Sequence, residues 1–171
     1  MDFSQKDKEA MKLALKEAKE SFNQGNLPIG ATLVINEEII GSEGNKTRSN
    51  QDFVSHAESD LLRKYSHIIR ENFVKGIPQK IELYTTLEPC LMCFGAAVHN
   101  KVNRIVYALE DPHGGSTKTD KESVGKGYGE WPVIEKRLMK EEALVLFKEF
   151  LEQEKHGRFW NYFKIEFLKR N

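Results

Sequence analysis

The stretch Thr86-Leu87-Glu88-Pro89-Cys90-Leu91-Met92-Cys93-Phe94-Gly95-Ala96 decides how this chain is read. Just before it, Ile81–Leu87 alternates and carries β-formers, which predicts a strand. Pro89 then stands where a first helical residue belongs, because its fixed φ suits a helix N-terminus. The helix predicted there runs to about His99. On it Cys90 and Cys93, at i and i+3, share one face. Both fall in the first turn, where exposed N–H groups favour the thiolate. They are the only two cysteines of the chain, and three residues apart they make no disulfide framework. A metal site and a redox pair are the readings that remain.

Working outward toward the N-terminus, His56-Ala57-Glu58 opens another predicted helix, from near His56 to about Tyr65. Ser55 followed three residues later by Glu58 reads as a capping box. One His and two Cys supply the three protein ligands a catalytic zinc takes, with a fourth position open to water. Two helix N-termini can face one cation only if its ligands are anionic, and two thiolates meet that condition. Glu58, two residues from His56, lies beside the ligand direction and suits a proton shuttle rather than a fourth ligand. A thioredoxin-like redox pair would also follow a strand, but it has no use for a His-x-Glu elsewhere. A structural zinc site would want a fourth ligand, and neither His99 nor His113 has ligand spacing to the pair. The combination His-x-Glu with Pro-Cys-x-x-Cys matches the signature of zinc deaminases. A non-catalytic zinc-fold binding module is the remote alternative, and the intact Glu58 counts against it.

The remaining elements follow from periodicity. Met11, Ala14, Leu15, Ala18 and Phe22 recur at helical spacing within 4–23, and Gly25 stops that helix. Residues 31–35 form a β-rich run, 36–38 a turn, and Ile39-Ile40 the start of the returning strand of a hairpin. Residues 41–55 read as a polar loop. Residues 104–109 read as a strand, 111–129 as a long Gly-rich loop, and 133–154 as a helix. From Gly157 the tail is aromatic, with Phe159, Trp160, Tyr162, Phe163 and Phe167, and core packing is its favoured role over a lid. The order α-β-β-α-β-α-β-α predicts a layered α/β domain with a central mixed sheet. A single domain over 1–171 is expected, with 155–171 as its aromatic extension.

Composition narrows the class. With 171 residues the chain can bury a substantial core. Lys+Arg and Asp+Glu are 26 each, so the net charge is zero, unlike the footprint of a general nucleic-acid binder. No secretory signal and no apolar run of membrane-spanning length is visible, so a cytoplasmic location and no membrane partner are expected.

The chain resembles the cytidine-deaminase-like superfamily over roughly residues 5–112. Within it, the branch of tRNA adenosine deaminases, guanine deaminases and yeast-type cytosine deaminases is the most similar. The stretch from Thr86 to Ala96 and the following His99 are similar to tRNA adenosine deaminases, as is Pro28-Ile29-Gly30-Ala31. The resemblance implies a three-layer α/β/α fold, one zinc ion per chain held by His56, Cys90 and Cys93, and Glu58 as the proton carrier. It implies base contacts from Asn45, eleven residues before His56, and from the backbone of Ala57, with Asp111 at the mouth of the site. From the residues alone, Asn45 after Gly44 reads as a turn residue, and Asp111 before Pro112 as a turn starter. The resemblance also implies a homodimer. It fades after Asp111, where Pro112-His113-Gly114-Gly115-Ser116 and a long loop depart from the tRNA enzymes, and the aromatic C-terminal segment resembles free-base deaminases. The expected activity is hydrolytic removal of the exocyclic amine from a guanine-, cytosine- or adenine-type base or nucleoside. A tRNA-specific adenosine deaminase is the alternative.

Overall fold

The computed structural model of the chain describes residues 2–124, 130–153 and 158–171, the last segment with its side chains from residue 164 onward. Helix α1 (Gln5–Asn23) is set by a capping box. The Asp7 N–H donates to Ser4 Oγ (3.1 Å) and the Ser4 N–H donates to Asp7 Oδ2 (2.7 Å). Its buried stripe of Ala10, Met11, Ala14 and Ala18 packs on the sheet. The small side chains let the sheet come close: at Gly30 a Cβ would run into the backbone of Ala14 and Ala18.

Strands β1 (Gly30–Ile35) and β2 (Glu38–Gly44) form the expected hairpin. It turns through Asn36 and Glu37, both at positive φ, the geometry of a type I′ loop. β2 continues through Gly41–Gly44, where the sequence pattern predicts loop. Its Gly, Ser and Glu residues carry no β signature, and pairing with β1 decides the matter, Gly30 facing Gly44. Helix α2 (Ala57–Val74) runs well past Tyr65, because Ile69 continues the buried stripe of Leu61 and Leu62. The chain then forms β3 (Ile81–Leu87), α3 (Leu91–His99), β4 (Arg104–Leu109), a short α4 (Lys121–Val124), β5 (Val133–Lys136), α5 (Lys140–Gln153) and α6 (Arg158–Arg170).

The helix expected over 133–154 is corrected at its start. Val133–Lys136 is an edge strand parallel to β4, and positive φ at Arg137 and Met139 separates it from α5. A four-residue strand is too short to show a period of two against the helical pattern that follows it. The sheet order is β2-β1-β3-β4-β5, antiparallel on the hairpin side and parallel from β3 to β5. Gly44 abuts Ser21 and Glu17 of α1, whereas Gly41, on the opposite face, abuts Tyr65 of α2. Helix α5 packs with α1, and α3 with α2, which gives the three-layer α/β/α arrangement. No described helix is long and apolar enough to cross a membrane. Of the aromatic tail, Phe167 is fully buried and stacks on Phe147 at 4.8 Å. The side chains of Phe159, Trp160, Tyr162 and Phe163 lie outside the described residues.

One polar cluster ties α1 to three strands. The Arg104 guanidinium donates to Asp7 Oδ1 (2.6 Å), Glu82 Oε1 (2.9 Å), the Tyr84 hydroxyl (3.0 Å) and Glu135 Oε2 (2.8 Å). Burial pushes the Asp7 carboxyl up, but hydrogen bonds from Arg104, Tyr84 and Ser4 outweigh it and hold Asp7 well below the usual carboxylate range. Arg104→Met should therefore lower stability by roughly 2–4 kcal/mol, because carboxylates are left without their partner in a largely buried place. A depressed carboxyl contributes stability above its unfolded pKa of ~3.9, and that contribution is lost as pH falls further. Denaturant melts at neutral and acid pH check both points: a loss below ~0.5 kcal/mol would show the cluster to be a solvated ion pair.

Candidate active site

Three ligand-type atoms converge where two helices begin beside one end of the sheet. His56 is the N-cap of α2, its backbone N–H donating to Ser59 Oγ at 3.2 Å. The capping box expected between Ser55 and Glu58 does not form. Ser55 Oγ instead donates to Asp60 (2.7 Å) and accepts from Asn50 (3.0 Å), which leaves Glu58 free to turn inward. Pro89 precedes the helix rather than opening it: Cys90 is the N-cap of α3, and Cys93 lies in its first turn. His56 Nδ1 is 3.6 Å from Cys90 Sγ and 3.6 Å from Cys93 Sγ, and all three atoms lie within 4.8 Å of one another.

That spacing fits zinc. Bonds of ~2.3 Å to sulfur and ~2.0–2.1 Å to nitrogen at a tetrahedral angle place the two ligand atoms roughly 3.6 Å apart. Two soft thiolates and one imidazole are also the donor set zinc takes. The Cys93 thiol donates to Cys90, which brings Cys90 down to about 4, with His56 adding to the effect. The same pair pushes Cys93 up, and Cys90 raises the His56 imidazole. Zinc takes both sulfurs as thiolates, so its binding is coupled to proton release from this pair.

Glu58 is 3% exposed. Its Oε1 accepts from the Thr85 hydroxyl (3.3 Å), and its Oε2 lies 3.5 Å from Cys93 Sγ. Burial raises its carboxyl above the ordinary range.

A cavity of about 180 Å³ opens onto His56, Cys90 and Glu58. Leu27, Ile29 and Leu87 form one part of its wall, and Phe147 and Phe150 of α5 another; Glu88, Asp111 and His113 complete it. Asp111 is at the cavity as expected, and it is also a turn starter: Oδ1 accepts the N–H groups of His113 (2.9 Å) and Gly114 (3.0 Å). Asn45 is buried one step back. Its N–H donates to Ile29, and its Oδ1 accepts from Thr47 N–H (3.2 Å) and Oγ1 (2.9 Å), an Asx turn. Neither Asn45 nor Ala57 is among the residues lining the cavity; fully buried Ala57 opens α2, where its N–H has no partner within the helix.

Glu88, Thr117 and the two phenylalanines of α5 were not singled out from the sequence. Glu88 stood in plain view inside the cysteine motif, yet nothing in a lone carboxylate there announces that it is buried. Phe147 and Phe150 carried the ordinary signal of an amphipathic helix.

Comparison with known proteins fits this geometry. Residues 4–109 match the family described as cytidine and deoxycytidylate deaminase zinc-binding region. The tRNA-specific adenosine deaminase of Agrobacterium fabrum is 36% identical over 109 residues, 64% of this chain and 69% of that protein. That of Bacillus subtilis is 40% identical over 109 residues, 64% of this chain and 65% of that protein. Among solved structures, one from a study of A-to-I editing by tRNA:A34 deaminases superposes with a TM-score of 0.65 at 30% identity, covering 81% of this chain and 98% of that one. The guanine deaminase of Nitrosomonas europaea shares the fold, with a TM-score of 0.64 at 21% identity, covering 84% and 83%.

Fold, ligand triad and buried carboxylate are together those of a zinc-dependent hydrolytic deaminase acting on C–N bonds of nucleobases or nucleosides. The chain belongs to the cytidine and deoxycytidylate deaminase family.

Proposed function

We propose that this enzyme deaminates a free base or nucleoside. The observation that carries the reading is the apolar wall of Phe147 and Phe150, which comes from α5, beyond the 4–109 segment that defines the family. The wall gives the cavity of about 180 Å³ apolar surface against which an aromatic ring can pack, and the neutral chain offers no general polyanion footprint.

His56, Cys90 and Cys93 would hold the zinc ion. When bound, zinc supplies a water nucleophile active near neutral pH. Glu58, buried beside the triad, would carry one proton of the attacking water to the ring nitrogen and then the proton of the newly formed hydroxyl to the amine, so that the C–N bond breaks, ammonia leaves and a carbonyl remains. Burial of Glu58 shields that path from bulk solvent. In this reading the Asn45 amide and the Ala57 N–H meet the base edge, and Asp111 stands at the mouth.

A second reading, adenosine within tRNA, is favoured by the 36–40% identity to tRNA-specific adenosine deaminases over 109 residues. A panel separates the two: ammonia release from guanine, cytosine, adenine, their nucleosides and an anticodon stem-loop. Turnover of one small substrate with the stem-loop silent is expected, and turnover of the stem-loop alone would reverse the assignment. We also propose a cytoplasmic homodimer. Thiols used as ligands suit a reducing compartment, and Phe73 (62% exposed), Val74 and Ile77 at the end of α2 offer apolar surface to a second copy. A monomer in sedimentation equilibrium would contradict the dimer.

A further inference from the structure

We infer that Glu88 is a positioning residue that sets the rim of the substrate cavity and thereby substrate affinity, without a part in proton transfer. Its side chain is buried, and both of its oxygens accept hydrogen bonds from one turn. Oε2 accepts the Asp111 N–H (3.1 Å); Oε1 accepts the Thr117 hydroxyl (2.5 Å) and the Thr117 N–H (3.3 Å). The carboxylate therefore grips the first and last residues of the 111–117 segment. Between them, the Ser116 N–H donates to the Pro89 carbonyl (3.0 Å), and Gly115 forms a β-bridge with Cys90. The turn carries Asp111 and His113 to the cavity mouth while its far side lies against a zinc-ligand residue.

The fit is tight. A Cβ at Gly115 would stand 2.5 Å from both Glu88 Cδ and the Asp111 carbonyl, so only glycine lets the turn close on the carboxylate. Glutamine at position 88 has the same shape but one acceptor oxygen. Its NH2 group would face either the Asp111 N–H or the Thr117 donors, and the grip would open at one end.

The account of this residue rests on the cavity being the substrate site. It is tested with the zinc-loaded full chain as wild type, Glu88→Gln, Thr117→Val and Gly115→Ala, on whichever substrate of the panel the wild type turns over. KM should rise roughly tenfold with kcat within about threefold, the signature of lost uniform binding. Each variant should keep one zinc, and the amides of Gly115, Ser116 and Thr117 should exchange hydrogen at least ~10-fold faster while those of β4 are unchanged. Glu88→Gln and Thr117→Val should be non-additive, because they cut the same contact. A fall in kcat at unchanged KM, loss of zinc, or unchanged exchange in the turn would overturn the inference. Should Glu88→Gln fail to fold, Thr117→Val and Gly115→Ala decide by the same readouts. Wild type active on the stem-loop alone would refute the small-substrate reading and leave this test to run on the stem-loop.

Discussion

Glu58→Ala is expected to lower turnover by roughly 10³-fold while the protein keeps its zinc. The carboxylate is buried at the cavity, and its Oε2 lies 3.5 Å from the Sγ of the ligand Cys93. It makes no capping contact for α2, which takes its cap from His56 and Ser59. Burial disfavours its charged form, so its removal should leave stability unchanged or slightly raised rather than reduced. A loss of rate together with a loss of stability would mean that Glu58 holds the fold. Near-normal rates would remove it from the chemistry. Steady-state rates, metal analysis and a thermal melt on the same preparation make the distinction.

Cys90→Ala should abolish stable zinc binding and, with it, activity. Only three ligand-type side chains meet here among the described residues, and two cannot hold a catalytic ion. The affinity should fall by more than the ~100-fold that disturbing an outer partner of a ligand costs. The two thiols are also distinguishable without mutation. Cys90 is partly exposed, and its contacts with Cys93 and His56 bring its thiol down to about 4, whereas Cys93 is buried and its thiol is pushed up. An alkylating reagent at neutral pH should therefore modify Cys90 first in metal-free protein, and neither cysteine in zinc-loaded protein. Full zinc occupancy in Cys90→Ala, or a metal-loaded wild type still open to alkylation, would refute the ligand assignment.

The parts of the molecule legible from sequence were those where a local pattern and a chemical need coincide. Cys90, Cys93 and His56 are spaced as ligands whatever packs around them, and the two helix starts followed from turn and periodicity signals. The details of those starts were not legible. Ser55 and Glu58 have capping-box spacing, yet burial of Glu58 at the cavity overrides the local preference, and Ser59 takes over the cap. Strand β5 and the far half of β2 were hidden for a common reason: each is an edge strand whose identity comes from its neighbour, Val133 pairing with Arg104 and Gly44 with Gly30. The Glu88 grip and the Phe147–Phe150 wall depend on contacts between positions far apart in the chain. Asn45 shows both readings at once: a turn residue by its bonds to Thr47, and a buried amide one step behind the cavity.

The most direct test of the central claim is to run the reaction in heavy-oxygen water with the zinc-loaded wild type and Glu58→Ala, following ammonia and product mass together. The account predicts one ammonia per product, one solvent oxygen on the ring carbon that lost its amine, and a Glu58→Ala protein that still carries zinc yet forms almost none of either. Ammonia without solvent oxygen in the product, or equal rates in the two proteins, would contradict it.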